Sequence, residues 1–206
     1  MKTRTHSLLG SVITAALIMA APALDAQTET EASFKKEPDQ SMAAAHKAFV
    51  AGDKDQAAAD LEQASKWVKK QADKVGATSA VGMKSAGKEL EKLGEDVKNG
   101  TVKSGDEMKQ AFAKVDHDIA SCWHKSAEET KKAGKDSTTD LKKAGAALEN
   151  SARWSGRQLS EGARDSVKAV KKAGKATGEG TKAAAKDVDK WFKDIGDGIK
   201  DLEKKL

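Results

Sequence analysis

The chain has no tyrosine, a single cysteine and only two prolines among its 206 residues. Phenylalanine and tryptophan contribute four residues each, which is too few to fill the interior of a large globular enzyme. Both prolines, Pro22 and Pro38, lie near the start, so nothing after residue 38 forces a break in a helix. Long alternations of β-branched and polar residues are also missing, and this argues against a β-sheet.

Sequence motifs of catalysis are missing as well. The chain holds no Gly-x-Gly-x-x-Gly or Walker sequence, no His-Glu-x-x-His and no Gly-x-Ser-x-Gly. The carboxylates interleave with lysines at helical spacing, which is typical of a solvated helix surface. Basic and acidic residues number 37 and 32, so the charge balance does not favour nucleic-acid binding. We therefore expect no enzymatic activity, no cofactor and no nucleic-acid partner, and we identify no small-molecule substrate.

The start of the chain has the pattern of a secretory signal peptide. Lys2 and Arg4 form a basic start, about fourteen apolar residues follow, and the small residues Ala23 and Ala26 offer cleavage sites. The apolar run is shorter than the roughly 20 residues that span a bilayer. We therefore interpret residues 1–26 as a signal peptide and expect a periplasmic or secreted protein.

Apolar residues recur every three or four positions through most of the remaining chain, which predicts an all-α fold. Residues 27–40 are nearly free of apolar side chains and are predicted to form a flexible leader. Ser41 is the predicted N-cap of the first helix. We expect residues 41–176 to form antiparallel helical hairpins in an elongated bundle, and residues 177–206 to form a partly ordered amphipathic C-terminal helix.

The central helix of this bundle is predicted from its start signal and its apolar face. Ser104 and Glu107 have the spacing of a capping box. A later stripe, from Leu141 to Ala173, predicts one more long helix. The buried stripe of the central helix is Met108, Phe112, Val115, Ile119, Cys122 and Ser126.

The C-terminal tail has a heptad-like apolar stripe flanked by lysines. The apolar side chains would enter a partner or a lipid interface, while the lysines attract anionic groups. The expected partner is an envelope protein or an anionic membrane surface, and no oligomeric state is predicted. The same stripe would serve equally well to pack the tail on its own bundle. The predicted contact residues are Lys186, Lys190, Trp191, Phe192, Lys193, Ile195, Ile199 and Lys200.

The histidines and the cysteine support an alternative hypothesis, a metal- or haem-binding bundle. Two of the histidines are seven residues apart on one helix, so about 10 Å separates them and one ion cannot bind both directly. A second helix would have to bring His46, Asp116, Asp118 or Glu128 next to one of them, since these sites need three or four convergent ligands. The simpler interpretation is exposed histidines and a buried cysteine. The candidate ligands are His46, His117, Cys122 and His124.

Lysine, alanine, glycine and aspartate dominate the end of the chain. The sequence KKAG occurs at residues 131–134, 142–145 and 171–174, and TKAAAKD follows. These segments, over roughly the last 75 residues, resemble late embryogenesis abundant repeats. Residues 41–160 are similar to uncharacterised secreted all-helical bacterial proteins. The first resemblance implies stress protection through contacts with membranes and proteins, so the main hypothesis is an exported, nonenzymatic structural, stress-related or interaction protein of the cell envelope.

Overall fold

Seven α-helices make up the part of the chain that this computed structural model describes, which is residues 36–176 and 185–206. No strand occurs within those residues, and the predicted all-α fold is confirmed. A short 3-10 helix, Ala72–Lys74, follows the second α-helix. The α-helices are α1 (Asp39–Val50), α2 (Lys54–Gln71), α3 (Ala77–Lys98), α4 (Gly105–Lys132), α5 (Thr138–Trp154), α6 (Glu161–Ala176) and α7 (Ala185–Glu203).

The end of the predicted leader belongs to the packed protein. The predicted signal peptide and residues 27–35 lie outside the described residues, as do residues 177–184 of the predicted tail. Helix α1 begins at Asp39, two residues before the predicted N-cap Ser41. The side chain of Asp39 is only 4 % exposed. Hydrogen bonds to this carboxylate, described below, fix the chain at a point where the sequence predicted flexibility.

Glycines in the left-handed conformation follow several helices. Gly134 follows α4 with φ +71°, at the point where the helix ends. Gly156 follows α5 with φ +65°, a conformation that favours glycine because it lacks a Cβ atom. The stripe predicted as one long helix between Leu141 and Ala173 is therefore divided into α5 and α6. Apolar spacing continues across the break, and for this reason the sequence prediction missed it.

Side-chain caps start α2 and α4. The Gln56 backbone N–H donates to the Asp53 carboxylate at 3.0 Å, and the Glu107 backbone N–H donates to the Ser104 hydroxyl at 3.2 Å. The second half of the predicted capping box does not form. The Glu107 carboxylate accepts a hydrogen bond from the backbone N–H of Lys103, at 2.6 Å, instead of from Ser104.

Helix α4 is the central element of the bundle. Helices that are consecutive in the described sequence pack against each other, and α4 also contacts α1 and α7. The predicted stripe of α4 is confirmed, because all six of its side chains are buried. They share one hydrophobic core with residues of the other helices, including Leu61, Leu90 and Leu148. This arrangement brings α4 into contact with both regions that bear on function, α7 and a pocket beside α1.

Candidate functional site

The apolar face of α7 packs inside the protein. Trp191, Ile195 and Ile199 are 8 %, 0 % and 7 % exposed, and they belong to the common hydrophobic core. Helices α4, α5 and α6 cover them. These three side chains were predicted to enter a partner or a lipid interface, but in this structure their stripe is already buried by the bundle. Within the described residues, no helix combines the length and the apolar character needed to cross a bilayer.

The lysines of the predicted contact surface lie on the outer face of α7. Two of them bind acids one turn further along the same helix: Lys190 contacts Asp194, and Lys193 contacts Asp197 at 2.7 Å. Exposed ion pairs of this kind are weak, so they leave the lysines able to contact other anions. All four lysine side chains are exposed, at Lys186, Lys190, Lys193 and Lys200.

Two of the candidate metal ligands hold the backbone of α7 instead. His117 Nε2 lies 3.1 Å from the carbonyl oxygen of Ile199, and His124 Nε2 lies 2.9 Å from that of Phe192. Both distances fit hydrogen bonds from the ring N–H groups to the carbonyls. The half-buried Phe192 ring also meets the His124 ring edge-on, with 5.6 Å between the centroids. These histidines therefore dock α7 on α4.

Cys122 and His46 occupy separate packing positions. Burial raises the pKa of the Cys122 thiol to about 11, so this thiol is protonated and unreactive at neutral pH. His46 is 2 % exposed and faces Gly105 at the start of α4. In the described part of the chain, no three His, Cys, Asp or Glu side chains are grouped so that they could hold a metal ion. The four candidate ligands of the metal hypothesis are not brought together.

A cavity of about 390 Å³ opens between α1, α2, α4 and α5. Its volume lies within the range of about 300–1,000 Å³ that is typical of small-molecule sites. Six apolar and nine polar or charged residues line it, and most of the surface that they expose to the cavity is apolar, as is common in such sites. We call this cavity the acid-pair pocket. Its lining residues include Asp39, Trp67, Asp116, Ile119, Trp123 and Lys143.

Two N–H groups hold the first carboxylate of the pocket, Asp39. The side chain of Asn150 donates to one of its oxygens at 2.7 Å, and the indole N–H of Trp154 donates to the other at 3.1 Å. Burial raises the pKa of Asp39 above its ordinary value of 3.8, although these hydrogen bonds oppose the shift. The carboxylate is therefore fixed in orientation within an apolar environment.

The second carboxyl group, Asp116 of α4, lies beside Asp39 without a donor of its own. Its side chain is 1 % exposed, and no N–H or hydroxyl group of the described residues donates to either of its oxygens. Burial raises the pKa of Asp116 well above 3.8, and the negative charge of Asp39 raises it further. The two neighbouring acids therefore oppose the ionisation of each other inside the bundle.

Tryptophans form the apolar part of the pocket. Trp123 is 2 % exposed and lies two turns after Asp116 on α4, while Trp67 of α2 is half-buried. The ammonium group of Lys143 lies 3.7 Å from the centroid of the Trp123 ring, which is a cation–π contact. Burial lowers the pKa of Lys143. One wall of the pocket therefore already binds a cationic group of the protein itself.

The sequence prediction missed this site, although one of its residues could have been found. Asp116 lies four residues after Phe112 and three before Ile119, so the helical spacing that predicts a buried stripe also places a carboxyl group within it. Asp39 carries no comparable signal. It lies in a polar segment, and its burial depends on contacts with α4 and α5.

Comparison with known proteins identifies no relative. No protein-family model, no curated protein sequence and no solved structure matches this chain. The resemblances to late embryogenesis abundant repeats and to secreted all-helical bacterial proteins therefore stay predictions. Two features of the described residues bear on function: the acid-pair pocket and the exposed lysine face of α7, which consists of Lys186, Lys190, Lys193 and Lys200.

Proposed function

We propose that this chain is an exported, nonenzymatic helical binding protein whose ligand site is the acid-pair pocket. The observation that carries the proposal is Asp116, a fully buried carboxyl group on the wall of a cavity, to which no described N–H or hydroxyl group donates. A buried polar group without a partner costs about 1–3 kcal/mol. Departures of this kind from good packing concentrate at functional sites. Export is inferred from the predicted signal peptide at residues 1–26.

Binding fits the lining of the pocket better than catalysis. The described residues that line it include no histidine, cysteine or serine, which are the side chains that most often act as general bases or nucleophiles. Asp39 already accepts two N–H hydrogen bonds, which stabilise its ionised form and weaken it as a base. Fixed polar groups among apolar walls are typical of recognition sites.

Tryptophan fluorescence tests this proposal, because Trp67 and Trp123 line the pocket. The purified protein is titrated at pH 7 with small arylalkyl compounds that carry an ammonium, a hydroxyl or a carboxylate group. We expect a saturable fluorescence change with at least one of the three types. Mass spectrometry should then recover the bound compound unchanged, as a nonenzymatic role requires.

A pocket-filling variant gives the matched control. Ala146 lines the pocket and is half-buried, so Ala146→Phe places a ring in the cavity and should abolish the saturable change. Ala59 is exposed on α2, so Ala59→Phe should retain it. Circular dichroism checks that both variants are helical. Failure of every compound to bind, or equal binding by both variants, would contradict the proposal.

The lysine face of α7 favours a second function, attachment to an anionic surface of the envelope. The apolar face of α7 is buried, so this attachment would depend on charge, at about 1 kcal/mol per lysine near an anionic membrane. Changing the four exposed lysines of α7 to Glu should abolish co-sedimentation with phosphatidylserine vesicles, whereas changing them to Arg should preserve it. Co-sedimentation of the Glu variant at the wild-type level would exclude this second function.

A further inference from the structure

The acid-pair pocket contains hydrogen-bond acceptors to which no described group of the protein donates. Asn150 and Trp154 donate to Asp39, but no described N–H or hydroxyl group donates to Asp116. An ionised carboxylate accepts hydrogen bonds at both oxygens and offers about four lone-pair sites. A ligand that completes this end of the pocket must therefore bring hydrogen-bond donors.

The charge of the acid pair determines the sign of that ligand. Asp39 and Asp116 are both acids, and both are buried on the pocket wall, where an unbalanced negative charge is costly. A cationic ligand would balance such a charge, whereas an anion would add to it. Three lysines also line the pocket. Lys36 is exposed, so water and salt weaken its attraction for anions, while Lys142 and Lys143 are half-buried on α5, and the Lys143 ammonium lies at the Trp123 ring.

The spacing of residues along α4 determines the shape of the ligand. Trp123 follows Asp116 by seven residues, which is two helical turns or about 10 Å. Ile119, which is 3 % exposed, lies between them on the same face. The path from the carboxyl group to the ring is therefore apolar. A molecule with donors at one end and an aromatic ring at the other fits this path.

Lys143 shows where the far end of such a molecule would bind. Its ammonium group covers the ring of Trp123 at 3.7 Å from the centroid. Lys143 is half-buried and belongs to α5, so its long side chain can move out of the pocket without unfolding the helix. An aromatic ring packs well against the face of an indole and can replace the ammonium there.

We infer, on the basis of the proposed binding function, that the acid-pair pocket takes a small arylalkylammonium ion. The ammonium head donates hydrogen bonds to Asp116, and the aromatic ring takes the place of the Lys143 ammonium on the face of Trp123.

Isothermal titration calorimetry with three matched probes tests the inference: 2-phenylethylammonium, the neutral 2-phenylethanol and the anionic 3-phenylpropanoate. At pH 7 we expect the ammonium ion to bind roughly tenfold or more tightly than the alcohol, because hydrogen bonds to charged groups contribute more than neutral ones. The carboxylate should bind most weakly.

Substitutions then assign the preference to particular residues. Asp116→Asn keeps the shape of the side chain, and it should reduce the preference for the ammonium ion to about threefold or less. Asp165→Asn makes the same exchange at an exposed acid of α6 and should leave the preference unchanged. Lys143→Ala should tighten binding of the ammonium ion roughly three- to tenfold, because it removes a competing cation from the Trp123 ring.

The outcomes separate this inference from the proposed function. Equal affinities for the ammonium ion and the alcohol, both lost in Ala146→Phe, would leave a binding pocket but overturn the cationic ligand class. Tightest binding by 3-phenylpropanoate would overturn it in the same way. If none of the three probes binds, the proposed function fails as well. If Asp116→Asn loses its helical circular dichroism signal, the Lys143→Ala variant decides instead. The inference is then overturned if Lys143→Ala does not bind the ammonium ion more tightly than the wild type does.

Discussion

Asp39 and Asp116 bring two carboxyl groups into contact inside a hydrophobic bundle, and burial raises the pKa of both. A raised pKa means that the folded protein holds the proton more tightly than the unfolded chain. The resulting stabilisation is fully present below the ordinary pKa of 3.8, and it is lost as the pH rises through the raised values. At neutral pH the pair therefore makes the folded state less stable than a neutral pair would.

Asp116→Asn should increase the free energy of unfolding at pH 7 by about 1–2 kcal/mol. The new amide carries no charge and can donate to Asp39, so it removes a buried acceptor that lacks a donor. The gain should shrink as the pH falls towards 4, because the protonated carboxyl group of the wild type donates in the same way. Urea unfolding at pH 7 and pH 4.5 measures both values.

The exposed acid Asp165 provides the control for this prediction. Asp165→Asn should change the free energy of unfolding by less than about 0.5 kcal/mol at either pH, as surface substitutions usually do. A loss of stability in Asp116→Asn at pH 7 would show that the ionised carboxylate is stabilised in the folded protein. The interpretation of the acid pair would then be wrong.

At the scale of helices, α7 is docked by its apolar stripe and by two histidine rings of α4. A hydrogen bond to Asp118 raises the pKa of His117 above its ordinary value of 6.5, and the carbonyl of Ile199 and the charge of Glu203 act in the same direction. Burial opposes this shift. The stabilisation is fully present below pH 6.5 and is lost as the pH rises through the raised value. The attachment of α7 should therefore weaken in mildly alkaline solution.

His117→Gln tests this pH dependence, because glutamine keeps an N–H for the Ile199 carbonyl but does not titrate. Between pH 5.5 and pH 8.5, the wild type should lose stability relative to His117→Gln. The acid pair is present in both proteins, so its contribution cancels in the difference. Hydrogen exchange of the α7 amides, measured at the two pH values, should show the loss at this helix. Equal pH profiles for the two proteins would contradict the prediction.

At the scale of the whole molecule, α7 supplies a share of the core that the other helices cannot replace. Trp191, Ile195, Ile199 and Leu202 are all buried, and full burial of one large apolar side chain contributes about 1.5–3 kcal/mol. A whole domain is stable by only about 5–15 kcal/mol. Deletion of α7 is therefore not a valid test of whether α7 binds membranes, because the truncated chain would expose apolar core surface that could bind membranes itself.

Removal of residues 185–206 should lower the urea midpoint strongly or abolish cooperative unfolding, and it should increase binding of a hydrophobic fluorescent dye. Removal of residues 204–206 alone should change stability by less than about 0.5 kcal/mol, since these residues are exposed. A chain that lacks α7 but unfolds at the wild-type midpoint would show that α7 contributes nothing to the core.

Individual helices were predicted from the sequence more accurately than the contacts between them. The cap at Ser104 and the stripe of α4 followed from local signals, because each depends on residues within a few positions of one another. The break at Gly156 was missed, since apolar spacing continues on both sides of it. The acid-pair pocket was missed for a different reason. Its walls come from four helices, and no spacing along one helix reveals which polar residues will meet.

The sequence by itself determined an all-α protein and the buried face of its central helix. Helical periodicity is a property of neighbouring residues, so it can be recognised without knowledge of the fold. Only the tertiary structure decided that α7 packs on the bundle and that Asp39 meets Asp116 beside two tryptophans. The physical reason is that an apolar stripe on a helix must be buried against some other part of the protein. Which helix buries it depends on how well surfaces that are far apart in the chain fit each other.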